Sequence, residues 1–369
     1  QRALFKNFLL HKKLNFKKLR QNPFLVPALL FLFFATISMI VSPSLRGAAG
    51  IWKAYFLEPI LFFFVFTSIL KKENLKNILW ALGISALYLS LIAIIQNFFP
   101  ALPFAYISKA FLRSDGTVDR VVSILNYPNA LGLYLGPIII LFTGFLLQKG
   151  KRIPQILKIA IIALSFLVIA LAQSEAAILS ILIVWILMIL YFKKTRLLGF
   201  GLIILTILLL AFSPGISGFA FEKVFLQDYS GMVRRLIWSE SSQMIQDHWF
   251  LGAGLDGYQT MIKPYHLPTF EIYLYPHNII LNFWSELGAL GLFSFIFLIV
   301  CFFKLLTLEK KVDIFSFVLA MAMVQILIHG LVDAPYFKND LSVLFWIILG
   351  LAAVWRDGRV VEGATLEKS

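Results

Sequence analysis

The chain has 369 residues, of which 60% are hydrophobic, 15% aromatic and only 14% charged, and its mean hydropathy is +0.86. This balance excludes a water-soluble globular protein, because a domain of this size could not cover so much apolar surface, and it indicates that lipid surrounds most of the chain. The formal net charge is +14, and the single cysteine, Cys301, excludes a disulfide framework and a thiolate metal site.

Ten apolar segments are long enough to cross a bilayer, which takes about 20 helical residues. Because a backbone in lipid must satisfy its own hydrogen bonds, each segment is predicted to be an α-helix. The segments lie at about 24–42, 51–70, 77–99, 124–147, 154–172, 175–192, 197–213, 277–303, 312–332 and 341–355. The sequence therefore predicts an all-α polytopic membrane protein with about ten transmembrane helices. Because the chain begins at Gln1 and not at a methionine, this count is compatible with further helices on the N-terminal side.

Short basic tracts alternate with longer connections of mixed composition. The basic tracts lie at 11–21, 71–76, 148–152, 192–196, 304–311 and 356–359, and the mixed connections at 43–50, 100–123, 214–276 and 333–340. If the ten segments alternate in direction, every basic tract falls on one side, which the positive-inside rule makes cytoplasmic. We therefore expect a multi-pass protein of the cytoplasmic membrane with both termini in the cytoplasm. A nucleic-acid surface is the less favoured interpretation, because the tracts are scattered and lack stacking aromatic residues.

The connection at 214–276 is far longer than ordinary loops, and loops of this length are usually functional. The chain is therefore predicted to contain three parts. They are N-terminal membrane helices at 1–213 (about seven spans), an extracytoplasmic loop domain at 214–276, and about three C-terminal spans with a cytoplasmic tail at 277–369.

Strongly polar residues inside the predicted spans cluster at their outer ends. In EIYLYPHNIILNFWSELGALGLF (271–293), His277 opens the eighth span, and Asn278, Asn282 and Glu286 follow at intervals of four on one helix face. Gln325, His329 and Asp333 close the ninth span. Such residues either line a functional site or form hydrogen bonds between helices. For Asn282 and Glu286 both interpretations stay open, whereas the position of His277 beside the long loop favours function over a helix cap.

The long loop contains YSGMVRRLIWSESSQMIQDHWFLGAGLDGYQ (229–259), which predicts a helix capped by Ser230. Arg234 and Arg235 on this helix suit phosphate, because a planar guanidinium binds it with two hydrogen bonds. Anchoring to anionic lipid headgroups is the alternative. GAGLDG (252–257) predicts turns with close backbone approach, and it lacks the preceding strand of a nucleotide-binding loop.

The motifs of several enzyme classes are absent from the sequence. It contains no HExxH, no Walker lysine, no GxSxG and no Cys/His zinc spacing. The nearest acidic cluster, SDGTVD at 114–119, is typical of a turn. We therefore predict neither a metal site nor a cofactor.

Four blocks, in this order, resemble the O-antigen ligase family, the membrane glycan ligases and polymerases of bacteria. RVVSILNYPNALGLYL (120–135) is similar to the family's Arg…Pro-Asn-Ala block, and RRLIWSESSQMIQDHWFLGAGLDGYQ (234–259) to the Arg-x-x-x-Trp…Asp-His block of its large periplasmic loop. PHNIILNFWSELGALGLF (276–293) is similar to its His-Asn…Glu-x-Gly block, and HGLVDAPYFKNDLSVLFW (329–346) to its closing Asp-containing block. Two positions depart from the family's pattern: Glu175 in AQSEAA stands in place of an arginine, and Trp249 in place of a proline.

The resemblance implies transfer of a glycan from an undecaprenyl-pyrophosphate carrier to an acceptor hydroxyl. Arg234 would stabilise the charge that develops on the pyrophosphate, and His277 would act as a base or orienting acceptor for the hydroxyl. These two are the predicted catalytic residues. The predicted substrate-binding residues are Arg235, Arg120, Asn278, His329, Asp333 and Glu286, and for Arg120 an interfacial anchor is an equally good interpretation. The implied partners are the carrier-linked donor, a glycan, lipid or protein acceptor, and membrane lipids.

Other functions remain as alternatives. A ligase and a polymerase of the family differ only in the acceptor, and the sequence does not separate them. A transporter or flippase of lipid-linked glycans would place charges through the full membrane depth and show inverted repeats, and neither pattern occurs here. A scaffold for envelope assembly would not need His277 or Arg234.

Overall fold

The computed structural model describes residues 16–100, 111–114, 116–147, 152–212, 214–268, 270–307 and 312–366. All regular structure in these residues is helical, apart from an isolated bridge between Leu112 and Val118. The predicted connection 100–123 is described only in part. The tract at 148–151, the end of the tract at 304–311, and the chain before residue 16 lie outside the described residues.

The helices, in chain order, are α1 (Phe16–Arg20), α2 (Leu25–Val41), α3 (Leu45–Ile51), a π-helical segment (Trp52–Leu57), α4 (Glu58–Ile69), α5 (Leu75–Phe98), α6 (Pro128–Leu146), α7 (Arg152–Leu171), α8 (Glu175–Tyr191), α9 (Arg196–Phe212), α10 (Pro214–Val224), α11 (Tyr229–Asp247), α12 (Tyr258–Met261), α13 (Ile279–Thr307), α14 (Ile314–Gly330) and α15 (Asn339–Leu366). Short 3₁₀ turns lie at Lys72–Asn74 and Lys263–Tyr265.

Ten of these helical stretches are strongly apolar. Within the described residues, six are long and apolar enough to cross a membrane: Leu45–Ile69, Lys72–Phe98, Pro128–Leu146, Arg152–Leu171, Ile279–Thr307 and Asn339–Arg356. Four shorter apolar helices accompany them: Leu25–Val41, Glu175–Tyr191, Arg196–Leu208 and Ile314–Gly330. Each corresponds to one predicted segment, so the prediction of an all-α polytopic membrane protein is confirmed.

The second span begins earlier than predicted. We expected residues 43–50 to form a connection, but α3 occupies 45–51 and continues through the π-helical turn into α4. The chain bends only at Ser42–Ser44, where the Ser44 N–H donates to Ser42 Oγ. Gly47 leaves room for the Asp256 carboxylate of the long loop, because a Cβ at this position would lie 1.7 Å from Asp256 Oδ2.

The membrane helices pack through small residues on α6 and an aromatic centre. Cβ atoms at Gly132, Gly136 and Gly144 would collide with side chains of α8 and α14, so glycine allows these helices to approach. Elsewhere Phe283 of α13 stacks on Phe295 with ring centroids 4.0 Å apart. The glycine contacts hold α6 against α8 and α14, whereas the ring stack lies within α13.

Residues 214–276 form a small helical unit on one end of the bundle, which we call the loop end. Its own core contains Met244, Ile245, Ala253, Tyr258 and Ile262. Helix α11 begins after Asp228, whose carboxylate accepts a hydrogen bond from the Gly231 N–H. The prediction that Ser230 caps this helix is therefore wrong: an aspartate two residues earlier provides the acceptor, and Ser230 lies in the first turn.

Helix α13 is less regular than its apolar sequence predicts. It begins at Ile279 and not at His277, and Asn278 caps it by accepting the N–H groups of Ile280 and Leu281. It is also interrupted at Gly288, where φ is +70° and ψ is −175°. The predicted turns in GAGLDG are confirmed, with φ of +69° at Gly252 and +79° at Gly254.

Candidate active site

Three of the predicted site residues hold three consecutive residues of one turn at the loop end. The turn follows α14, and its Leu331 carbonyl accepts from Asn278 Nδ2 at 2.9 Å. The Val332 carbonyl accepts from Arg234 Nε at 3.0 Å, and Asp333 Oδ1 lies 3.2 Å from His277 Nδ1. Residues from the long loop, from the start of α13 and from the end of α14 are thereby brought together.

His277 has an unusual backbone conformation that aims its ring. Its φ is +48°, in the left-handed region that residues other than glycine seldom adopt. The preceding carbonyl, of Pro276, accepts a 2.8 Å hydrogen bond from Trp238 Nε1 of α11. The Tyr273 ring meets the imidazole edge to face with centroids 5.5 Å apart. These contacts hold the imidazole toward Asp333 while 28% of the side chain stays exposed.

Asp333 and His277 form a carboxylate–imidazole dyad. Burial alone would raise the pKa of the Asp333 carboxyl, but the hydrogen bond and charge of His277, the charge of His329 and the Ala334 N–H together lower it to about 2. A carboxylate can only accept, so His277 Nδ1 carries the proton of this bond. In the neutral imidazole, Nε2 is then the basic nitrogen.

His329 lies one turn before Asp333, at the end of α14. It is buried, with 1% of its surface exposed. Neither ring nitrogen has a hydrogen-bond partner among the described residues. Buried polar groups are normally paired with protein or ordered water, so two nitrogens without a protein partner mark a place for water or a substrate group.

Arg234 keeps much of its hydrogen-bonding capacity. Nε donates to the Val332 carbonyl, and Nη1 donates to Ser230 Oγ at 2.6 Å. A guanidinium has five N–H groups, so three remain without a partner in the described part of the chain. They form a fork that can bind a phosphate oxygen pair.

Arg120 lies at the same end of the bundle but is more tightly held. Nε donates to the Ala172 carbonyl at 2.9 Å, and Nη2 donates to Asn129 Oδ1 at 2.9 Å and to the Gln173 carbonyl at 3.4 Å. Burial lowers the pKa of its guanidinium, and the charge of Arg234 lowers it further, so the two cations are within electrostatic range. The ordinary pKa of an arginine side chain is so far above neutral pH that both guanidinium groups stay charged. Two neighbouring positive charges suit a ligand with two negative charges.

Two predicted substrate-binding residues, Arg235 and Glu286, are placed away from this centre, and a third, Asn278, has a structural role within it. Arg235 is exposed and has no ion pair among the described residues. Asn278 uses its amide to cap α13 and to hold Leu331. Glu286 lies about two turns deeper in α13, where its carboxylate accepts the Asp256 N–H at 2.9 Å. The geometry gives Asn278 and Glu286 positioning contacts, and it brings neither Arg235 nor Glu286 to the dyad.

Sequence reasoning missed a three-residue ion cluster beside the site. Lys223 Nζ lies 2.6 Å from Glu175 Oε2 and 2.9 Å from Asp228 Oδ2. The carboxylate at the position where the resemblance leads us to expect an arginine is thus neutralised by a lysine from the long loop. Because Asp228 also caps α11, the cluster ties the helix of Arg234 to the start of α8. No pattern within 175–228 signals it, because the partners meet only in the fold.

The site has a composition suited to binding anions. Within the residues that the structure describes, no group of three or more His, Cys, Asp or Glu side chains is placed to hold a metal ion. Arg234 and Arg120, which lie within electrostatic range of each other, provide positive charge at the loop end.

Comparison with known protein families finds a family model that matches part of the chain. Residues 159–296 match a family model described as O-Antigen ligase. This match, over less than half of the chain, supports an O-antigen ligase-family protein. The match runs from α7 into α13 and includes Arg234 and His277, whereas Arg120, His329 and Asp333 lie outside it. No curated protein matches the chain. A match to this family indicates a membrane enzyme of the glycan ligase or polymerase type.

Proposed function

We propose that the protein transfers a glycan from an undecaprenyl-pyrophosphate carrier to an acceptor hydroxyl at the outer face of the cytoplasmic membrane. The observation that supports this most directly is the convergence of Arg234 and the His277–Asp333 dyad on residues 332 and 333. A cationic fork and a basic nitrogen at one end of a membrane bundle suit a lipid-borne pyrophosphate donor and a hydroxyl acceptor.

In the proposed reaction, the acceptor oxygen attacks the anomeric carbon of the glycan. The bond between that carbon and the pyrophosphate oxygen breaks, and undecaprenyl pyrophosphate leaves with the electron pair. His277 Nε2 takes the hydroxyl proton as the new bond forms, and ionised Asp333 stabilises the resulting imidazolium. The acceptor hydroxyl can belong to a lipid, a protein or a second carrier-linked glycan, because the same groups act in each case.

Arg234 would stabilise the negative charge that develops on the departing pyrophosphate. Its three remaining N–H groups are preorganised by the bonds to Val332 and Ser230, so little rearrangement is needed during the reaction. Among the described residues Arg120 Nη1 has no hydrogen-bond partner, so both of its hydrogens could bind the second phosphate. Two arginines can thereby provide the charge that other transferases obtain from a divalent ion.

The proposed orientation follows from the charge distribution. The tracts at 71–76 and 192–196 follow the ends of α4 and α8, and the start of α8 pairs with the loop unit through Glu175 and Lys223. The positive-inside rule assigns such basic tracts to the cytoplasm. Both termini would then be cytoplasmic, and residues 214–276, with the site, extracytoplasmic.

The proposal can be tested with purified protein in nanodiscs. The protein is mixed with an undecaprenyl-pyrophosphate glycan and with lipid, protein or carrier-linked glycan acceptors, and carrier-linked and product glycans are quantified. We expect transfer to at least one acceptor class, undiminished by excess EDTA. Intact carrier-linked glycan with every acceptor class would refute the proposal. Loss of transfer in EDTA, with recovery on adding magnesium or manganese, would refute the arginine-based account of the leaving group.

A further inference from the structure

The break in α13 is filled by a segment of the long loop. The Ala253 N–H donates to the Ser285 carbonyl at 2.6 Å, and the Ala289 N–H donates to the Trp249 carbonyl at 3.0 Å. Trp284 Nε1 also donates to the Trp249 carbonyl, at 2.9 Å. The backbone groups that the break releases are therefore satisfied by protein, which is the condition for irregular backbone at membrane depth.

The contact between the loop segment and the break in α13 requires glycine on both sides. A Cβ at Gly288 would lie 2.0 Å from the Phe250 carbonyl oxygen, and a Cβ at Gly252 would lie 2.5 Å from the Ser285 carbonyl oxygen. Both glycines also have positive φ. The loop segment and the interrupted helix are thus built to fit each other, and the contact is a specific part of the fold.

The loop unit descends along α13 toward this contact. At the start of α11, Arg234 and Trp238 bind residues next to the beginning of α13, and just beyond its end Trp249 binds Trp284 and Ala289. The second contact, at Ala289, lies ten residues after the start of α13 at Ile279, which corresponds to roughly 15 Å along the helix axis. Helix α13 has 29 residues and is about 43 Å long. It is therefore longer than a hydrocarbon core of about 30 Å by nearly the same roughly 15 Å. If Lys304 marks the opposite boundary, residues 249–253 reach the lipid.

The side chains at this lowest point are apolar and uncovered. Trp249, Phe250 and Leu251 are 56%, 46% and 40% exposed. Phe293 and Ile296 follow Ala289 by four and seven residues, on the same face of the membrane-spanning helix α13, and are 62% and 47% exposed. Tryptophan is favoured where one part of a side chain meets hydrocarbon and another meets water.

We propose that residues 249–251 form a membrane-inserted anchor, seated in the lipid leaflet that surrounds the loop end of the bundle. Lipid acyl chains are the occupant that the continuity with Phe293 and Ile296 favours. The anchor fixes the far end of α11 at the membrane, while the near end holds Arg234 against Val332. Only the naming of that leaflet as the outer one rests on the proposed function, so the anchor can be tested without any assay of transfer.

Site-directed spin labelling in nanodiscs tests the anchor. In a Cys301→Ser background, labels are placed at Trp249→Cys, Phe250→Cys and Leu251→Cys, with Thr260→Cys as an exposed control in the same loop unit and Phe293→Cys as a control within a span. We expect the three anchor labels to relax more with oxygen than with a water-soluble nickel chelate, as Phe293 does, and Thr260 to show the reverse.

The outcomes separate the anchor from its alternatives. Nickel accessibility at all three positions equal to that at Thr260 would overturn the proposal. Protection from both oxygen and nickel would also overturn it, because it would show that protein and not lipid covers the segment. Because three positions are labelled, failure of one variant to fold leaves the other two to decide.

Discussion

The backbone of His277 and the chemistry of its ring are linked. A residue other than glycine at φ +48° carries a conformational cost of about 1–3 kcal/mol, which the surrounding contacts must offset. Trp238 holds the preceding carbonyl and Asn278 starts the helix immediately afterward. Such a residue could relax in the absence of these contacts, and the imidazole would then leave Asp333. The strained turn is therefore what presents Nε2 at the open side of the site.

Replacing His277 with alanine should affect chemistry more than binding. We expect His277→Ala to lower the single-turnover transfer rate by about 10²–10⁴, the usual loss for a positioned base. Binding of the carrier-linked donor should stay nearly unchanged, because Arg234 does not contact the imidazole. His248→Ala, in the same loop unit but outside the site, is the matched control and should transfer normally. Near-normal transfer by folded His277→Ala would remove His277 from the mechanism.

Replacing Arg234 should weaken both donor binding and transfer. Arg234→Ala removes the fork that faces the pyrophosphate, and we expect transfer to fall by about 10²–10³, as for loss of one oxyanion donor. Arg234→Lys should recover only part, because an ammonium keeps the charge but not the planar pair of donors. Arg46→Ala removes an exposed arginine of α3 and controls for the change in net charge. A transfer rate for Arg234→Lys equal to that of the unchanged protein would indicate a simple charge effect without bidentate contact.

At the scale of secondary structure, α11 and α13 act as one unit. Helix α11 is tied at its start by the Lys223 ion cluster and by Arg234, and beyond its end by the backbone contacts of Trp249 and Ala253. Exposed ion pairs contribute little stability by themselves, about 0–1 kcal/mol. The buried backbone bonds at Gly288 are therefore expected to contribute more to the attachment of the loop unit.

Alanine at the break in α13 should test that attachment. Gly288→Ala places a Cβ against the Phe250 carbonyl and demands a positive φ from alanine, so we expect a loss of at least about 1 kcal/mol in unfolding free energy. Gly50→Ala, where a Cβ meets nothing within 4 Å, should be neutral or stabilising. Thermal unfolding of both variants in detergent, with limited proteolysis of the loop unit, measures the difference. Equal stability would mean that the loop segment does not seal the break.

At the scale of the whole molecule, the orientation in the membrane decides which solution reaches the site. In a Cys301→Ser background, an impermeant thiol reagent on intact cells should label Gln259→Cys in the loop unit and leave Lys71→Cys untouched. Lysis should then expose Lys71→Cys to the reagent. The reverse pattern on intact cells would place the site on the cytoplasmic side and contradict the proposed use of an outward-facing carrier.

The sequence predicts the spans well because burial in lipid requires long apolar runs, which are visible without any tertiary contact. His277 and Asp333 could also be singled out, since polar residues at the ends of spans are costly to keep. Arg234 could be singled out because paired arginines suit phosphate and because of the resemblance to the ligase family. Their roles relative to Asn278 and Glu286 could not be separated, because all of them have similar local patterns. The cap at Asp228, the break at Gly288 and the Lys223 cluster depend on partners distant in sequence.

The pairing of His277 with Asp333 also sets an order of events during synthesis. The dyad joins the start of one span to the turn beyond the next, 56 positions later in the chain. Spans enter the membrane as they leave the ribosome, so a nascent chain that has reached α13 already exposes His277 and Arg234 but has no carboxylate to orient the imidazole. In the proposed mechanism, competence for transfer then arises only after α14 has inserted and its turn has closed. A partly synthesised chain would be protected in this way from consuming carrier-linked glycan.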